Sequence, residues 1–410
     1  MKNSTKRNAL WNAVGTTFNA FNSLFFMMIV TRTCGIVDAG IFTFAFSTAT
    51  LLNVIGVYSG RVYQVTDTSE SSDRDFLVNK IITCSIMLFI GMIFVIIKRY
   101  DITKSLVIIV LCLLKCFEAF CEVFYAYFQK QEMLYKVGIS FTIKSCIGLV
   151  VFLLANLITK NVLISCILLL LSYIIVMLLY DVTNLKHLKL KKTYSFNNVL
   201  SILKTGLYPF IITFSCLFII NAAKYVIDLK LLESDQTIYG IIIMPATVIL
   251  LFGQFIIHPY LTKIINYYRS EDYGRIKKLI YNFILFMIIT GGISSICAWL
   301  FGVQILGLLY GIALDKYRMW LLLVMIGASF YGITSILSNI LIAIHKFKAQ
   351  TVVLLITSIM TYIVAFCLIS YYGLKGAFLA YFFTMLLLCI VFVIMTLYYL
   401  SIRKVGLSDE

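Results

Sequence analysis

The sequence predicts an all-α polytopic membrane protein of about 12 transmembrane helices, arranged as two six-helix lobes. Apolar stretches, each about 20 residues long and so able to cross a hydrocarbon core of roughly 30 Å, cover almost the whole of the 410-residue chain. The composition is 61% hydrophobic and 13% charged, with a mean hydropathy of +0.99, which leaves no segment for a soluble domain. Of the 34 Lys and Arg residues, more than twice as many fall in the termini and one set of alternate breaks as in the other set. Basic residues gather in cytoplasmic loops, so both termini are expected on the cytoplasmic side of the membrane. The net charge of +16 then follows from topology, without nucleic acid as a partner.

The spans follow in chain order. The first, Asn8 to Thr31, is preceded by three positive charges and no small-residue cleavage site, so it reads as a retained span and not a removable signal. Ala39 to Ser59, Ile81 to Ile97 and Ser105 to Phe128 come next, the last interrupted by charges. Val137 to Ile158 and Val162 to Tyr180 are separated only by the short gap at Thr159 to Asn161. The polar connection from Asp181 to Asn198 carries the densest basic cluster (Lys186, Lys189, Lys191, Lys192) and splits the spans evenly, giving lobes 1–195 and 196–410. Leu203 to Ile227 and Ile238 to Leu261 hold all three prolines, Pro209, Pro245 and Pro259, and so are expected to kink or break. Leu279 to Phe301, Trp320 to Ile344, Thr351 to Tyr371 and Ala377 to Leu400 complete the set. Gly40, Ile41 and Leu51 recur as Gly240, Ile241 and Leu251, consistent with an internal duplication. Two helical bundles of equal size are a common transporter plan, with the substrate at the repeat interface.

Polar residues inside the spans carry the functional information. In the first span Asn8, Asn12, Thr16, Asn19 and Ser23 recur every three or four residues, on one helical face. That face serves either helix-to-helix hydrogen bonding or the wall of a water-filled cleft. In the fourth, Lys115, Glu118, Glu122, Tyr125 and Gln129 form a second stripe. Ionisable groups near a helix centre cost about 2.5–3.5 kcal/mol each on insertion scales, so this stripe must face protein or water. Lys115 is spaced to pair with Glu118, leaving Glu122 for Lys144 on the next helix. The network is either structural or a substrate or coupling-ion site. Lys204 and Lys224 lie near the two ends of the seventh span, where either could snorkel; Lys224 has Asn221 and Asp228 at helical spacing. Thr247, Gln254 and His258 share a face of the eighth. Arg32 and Arg61 follow the first and second spans as interface anchors or ligands. The 11 cysteines form no CxxC pair or Cys/His cluster, so they read as buried thiols and not as metal ligands. No P-loop or HExxH pattern is present, no cofactor is implied, and the longest outward break, Gly302 to Met319, is too short for an extracytoplasmic glycosyltransferase or polymerase site. An enzyme is therefore not expected. Nor does the first span hold an Asp or Glu of the kind a cation-driven drug exporter places there.

The runs Thr31-Arg32-Thr33-Cys34-Gly35 to Gly40-Ile41-Phe42, Arg61-Val62-Tyr63-Gln64-Val65-Thr66-Asp67, Lys115 to Glu118 to Glu122 to Gln129, and Asn221, Lys224, Tyr225, Asp228 to Gly240, Pro245 and Pro259 resemble the bacterial polysaccharide flippases of the Wzx type. Those flippases belong to the multidrug/oligosaccharidyl-lipid/polysaccharide exporter superfamily. The resemblance covers the chain in length, span number and layout. It implies a MATE-like fold with two lobes in a V and alternating access. It also implies a cargo for O-antigen or capsule synthesis: an undecaprenyl-pyrophosphate-linked oligosaccharide turned to the outer leaflet, with H+ or Na+ as coupling ion and polymerase or assembly proteins as neighbours. On that reading Lys115, Lys144, Lys204, Lys224, Arg32 and Arg61 neutralise the headgroup, because four Lys face two Glu inside the spans. Asn12, Asn19 and Asn221 meet sugar hydroxyls, and Glu118, Glu122, Asp228 or His258 couple movement to the ion. A small-molecule exporter of the same fold, or a non-transporting scaffold of a glycan-assembly complex, is the alternative.

Overall fold

A computed structural model describes residues 2–58, 60–66, 72–185 and 195–402, all helical or in short connections. The lysine cluster 186–192 lies outside them. Large apolar side chains such as Phe89, Ile96, Ile158, Ile288, Ile359 and Ile394 are turned outward. In water such a surface would aggregate; in a bilayer it is the lipid-facing side. Among the described residues, 11 helices are long and apolar enough to span. The 29-residue helix Ile102–Lys130, which holds Lys115, Glu118 and Glu122, is equally long and falls outside that set because of its charges. The chain is a multi-pass membrane protein.

The chain divides into two compact units, Met1–Phe214 and Ser215–Glu410. The first contains α1 (Lys2–Thr33), α2 (Ile36–Val57), the short α3 (Arg61–Thr66), α4 (Asp73–Lys98), α5 (Ile102–Lys130), α6 (Leu134–Thr159), α7 (Val162–Val176), α8 (Thr183–Leu185), α9 (Phe196–Thr205) and the start of α10 (Leu207–Lys230). Helix α1 packs along α6, while α2 packs against α5 and α4, and α7 against α6 and α5. The α1–α6 crossing is close enough that a Cβ on Gly138 would lie 2.1 Å from the Trp11 carbonyl oxygen. Glycine permits that approach, as small residues do between membrane helices.

Local chemistry sets the helix ends. Lys160 adopts a left-handed conformation after α6, and the Asn161 side chain then accepts from the backbone N–H groups of Leu163 and Ile164. The gap at Thr159 to Asn161 is thus a real break with an N-cap. Ser72 and Asp75 form a capping box at the start of α4. Asp75 also accepts from the Ser195 backbone N–H (2.8 Å) and the Asn198 amide (3.2 Å), and the Tyr58 hydroxyl donates to the Leu203 carbonyl at 2.6 Å. These bonds hold α9 to the first unit.

The second unit contains the rest of α10, then α11 (Glu233–Ile243), α12 (Ala246–Ile257), α13 (Leu261–Arg269), α14 (Tyr273–Cys297), α15 (Val303–Tyr310), α16 (Arg318–Ala343), α17 (Phe347–Tyr372) and α18 (Leu374–Ile402). Helix α16 packs against α18, α12 and α14. The expected breaks at proline occur: α11 stops before Pro245, and Pro259 sits in a 3-10 turn ahead of α13. Pro209 does not kink a span. It falls in the first turn of α10, where its missing N–H has no intrahelical partner to lose. The break lies instead at Gly206, which separates α9 from α10. The connection after α14 is shorter than the sequence suggests, because a π-helical turn, Ala298–Gly302, leads directly into α15.

Candidate functional site

Helix α5 positions the charged stripe. Lys115 and Glu118 stand near its midpoint, one turn apart, and their side chains meet at 2.7 Å. The Lys115 ammonium also lies 4.9 Å from the centre of the Phe46 ring, a cation–π contact. Glu122, one turn on, is 3.9 Å from the Arg61 guanidinium supplied by α3. Lys144 does not reach Glu122, the partner its spacing suggests. Its ammonium donates to Asp181 at 2.6 Å, to the Tyr125 hydroxyl at 2.8 Å and to Cys121 at 3.2 Å. Asp181 is fully buried and Lys144 nearly so. The sequence places Asp181 in a polar connection. The structure instead carries the helical backbone through a π turn, Met177–Val182, so that Asp181 continues the inner face of α7.

These groups surround a cavity of about 250 Å³ in the first unit, lined by Asn19, Asn53, Lys115, Glu118, Glu122, Tyr125, Phe141, Lys144 and Tyr173. An adjoining cavity of about 140 Å³ shares Asn19, Lys115, Glu118 and Tyr173, and adds Asn22, Ser23 and Thr50. A smaller hollow beside Arg61 and Glu122 is lined by Tyr58, Gln64, Asn79 and Lys80. Lys80 is buried in α4 and its ammonium donates to the carbonyls of Gly56 and Val57, the last turn of α2. A cation at a helix C-terminus is favoured by the partial negative charge of the open carbonyls.

The polar stripe of α1 divides between both of its readings. Asn8 holds the α5–α6 connection, donating to the Glu132 carbonyl and accepting from the Tyr135 N–H. Thr16 bonds back to Asn12, whose side-chain oxygen is buried. Asn19 and Ser23 line the cavities. Sequence reasoning missed Asn22, three residues beyond Asn19, which donates to Ser145 at 2.9 Å. It also missed Asn53, a lone amide in α2, and Asp181, which follows Tyr173 and Met177 at intervals of four.

Other candidates lie elsewhere. Lys204 is exposed on α9 and is not in a span, because the helix break falls after it. Arg32 is exposed at the end of α1. Asn221, Lys224 and Asp228 sit on α10 in the second unit; Asn221 donates to the Leu217 carbonyl. Thr247 and Gln254 are exposed on α12, and the His258 side chain lies outside the described residues. The 11 cysteines are free, but Cys146, Cys297 and Cys367 are exposed on helix surfaces, contrary to the expectation of burial. The excess of positive charge expected inside the spans is reduced in the first unit. Arg61, Lys115 and Lys144 each face a carboxylate, and Lys80 binds carbonyls.

No protein-family model matches the sequence. The structure is similar over 97% of its length to the whole of an inward-facing multidrug resistance MATE family transporter of the MOP superfamily, with a TM-score of 0.70 at 13% identity. The chain has a MATE-like fold. An outward-facing transporter of that superfamily matches 98% of this chain and 97% of its own, at TM-score 0.57 and 14% identity. A MATE structure in the bent conformation matches at TM-score 0.60, covering 98% and 96% at 14% identity. In sequence, the chain is distantly related to the capsular polysaccharide biosynthesis protein CapF of Staphylococcus aureus. The two are 25% identical over 372 residues, which is 89% of this chain and 92% of that protein. The MATE-like fold thus extends over nearly the full length, and the first unit holds the ion-paired cavity.

Proposed function

We propose that this protein flips an undecaprenyl-pyrophosphate-linked oligosaccharide from the cytoplasmic to the outer leaflet for surface polysaccharide synthesis, by alternating access and with both termini cytoplasmic. The observation that carries the reading is the polar, ion-paired cavity at mid-helix depth in the first unit of a MATE-like fold. Intramembrane charges are costly and mark transport pathways. A lining of amides, hydroxyls and matched charges suits a hydrophilic, hydroxyl-rich cargo, while a prenyl chain stays in lipid. The relation to a protein named for capsular polysaccharide biosynthesis supports the same cargo class. Glu118, Glu122 and Asp181 are the acidic groups at this depth, and coupling to H+ or Na+ would act through them.

The test is the lipid-linked saccharide content of cells lacking the chain, resolved by membrane leaflet. Accumulation on the cytoplasmic leaflet with loss of surface polymer is expected. Unchanged glycan and lipid intermediates would overturn the reading in favour of a small-molecule exporter. If Lys115→Ala with Lys144→Ala left export intact while deletion abolished it, a scaffold role would replace transport.

A further inference from the structure

Around the two larger first-unit cavities, the buried lining side-chain atoms left without a partner are acceptors; an unpartnered donor, Arg61 Nη1, lies instead in the smaller hollow beside Glu122. The side-chain oxygens of Asn22 and Asn53 are buried without a hydrogen-bond partner, as is the second carboxylate oxygen of Asp181 behind Lys144. Asn22 is 4% exposed and lines the smaller cavity, and Asn53 lines the larger. Buried polar atoms ordinarily have partners, so the two amide oxygens, whose residues line the cavities, point to a ligand that donates. Phosphate oxygens ionised at neutral pH only accept, whereas hydroxyl groups both donate and accept. The cations of the lining do not call for an anion either, because Lys115 and Lys144 are held by Glu118 and Asp181 at 2.7 and 2.6 Å. A bound metal cation would share the space with both ammonium groups, and among the described residues no cluster of three His, Cys, Asp or Glu could hold one.

We infer that the first-unit cavity is a saccharide subsite, which takes hydroxyl-bearing rings of the cargo and leaves the pyrophosphate outside it; this rests on the flippase reading above. The side-chain oxygens of Asn22 and Asn53 accept ring hydroxyls. The Lys115–Glu118 pair presents a donor and an acceptor side by side to neighbouring hydroxyls, and Phe141 and Tyr173 offer flat surfaces to the C–H faces of a ring. Together the two cavities fall at the lower end of the roughly 300–1,000 Å³ range of small-molecule sites, which suits one or two rings and not a whole repeat unit.

The experiment compares two lipids on the purified full chain by native mass spectrometry: undecaprenyl pyrophosphate, and the saccharide-bearing form extracted from cells lacking the chain. The variants are Asn53→Leu and the paired Lys115→Met/Glu118→Met, with Asn19→Ala as a mild variant of a side chain already exposed to the cavity. Loss of about tenfold in affinity for the saccharide-bearing lipid is expected, from lost hydrogen bonds, with undecaprenyl pyrophosphate unchanged. Equal losses for both lipids would overturn the inference in favour of a headgroup site, and so would no loss for either. If the wild-type chain bound neither lipid, the flippase reading itself would fall, a result separate from the first two. Should Asn53→Leu or the paired variant not fold, Asn19→Ala decides.

Discussion

The buried pair of Lys144 and Asp181 gives the sharpest quantitative expectation. At 2.6 Å their gross attraction is about 6 kcal/mol for an effective dielectric constant of about 20, set against the cost of taking both charges out of water. Removing one partner strands the other, which costs about 3–5 kcal/mol, whereas replacing both with apolar groups is often nearly neutral. Asp181→Leu and Lys144→Met should therefore each destabilise strongly, and the double variant should recover most of the loss. The coupling should be at least about 2 kcal/mol, within the range found for residues in direct contact. The Tyr125 hydroxyl, 2.8 Å from the ammonium and 2.9 Å from Ser140, limits recovery, since it loses its charged neighbour. The assay is denaturant unfolding in mixed micelles across the full cycle, beside a matching cycle of Lys144→Met with Glu122→Leu. Additive single losses would refute the buried-pair account. Equal coupling in the Glu122 cycle would restore the pairing that helical spacing alone suggests.

Three further outcomes follow from the same structure. Reversing the half-exposed pair, Lys115→Glu with Glu118→Lys, should retain more surface polymer than either single charge reversal, because the reversed pair closes the same contact; equal loss in all three would show that the contact is not what matters. Gly138→Ala should destabilise by about 1–3 kcal/mol through overpacking, as its methyl would fall 2.1 Å from the Trp11 carbonyl oxygen, whereas Gly292→Ala, with no atom within 4 Å, should not; thermal unfolding separates them. Asp75→Ala removes the N3 half of the α4 capping box, the acceptor for the Ser72 backbone N–H, together with its bonds to Ser195 and Asn198, so amide exchange across Phe196–Thr205 should accelerate while exchange in α6 is unchanged.

Much of the fold was legible because membrane helices satisfy their own backbone and must be apolar over a fixed length. Most expected spans coincide with one helix, although Leu203 to Ile227 straddles the break at Gly206 and Ile238 to Leu261 runs over α11, α12 and a 3-10 turn, and the gap at Thr159 to Asn161 was readable from the cap that Asn161 provides. The breaks at Pro245 and Pro259 were readable because proline has no N–H to donate. The stripes of α1 and α5 were legible as periodic polarity, and so was the local pair of Lys115 with Glu118. Assignment of Asp181 to a loop failed because a charge after an apolar run looks like its end, and only the π turn beyond α7 keeps that carboxylate on the inner face. Lys204 was misplaced in the opposite direction, since apolar neighbours hid the helix break at Gly206.

The sequence by itself determined that the chain crosses the bilayer repeatedly and that the charged stripe Lys115, Glu118 and Glu122 lies on one helix at membrane depth, because these depend on composition and on period along one helix. Only the tertiary structure decided which charge meets which. Lys144 could have reached carboxylates on several neighbouring helices, and a contact between helices far apart in sequence is set by how their faces pack, through close approaches such as that at Gly138. That packing matched Lys144 to Asp181 and Glu122 to Arg61, and left Asn22 and Asn53 lining two adjoining cavities.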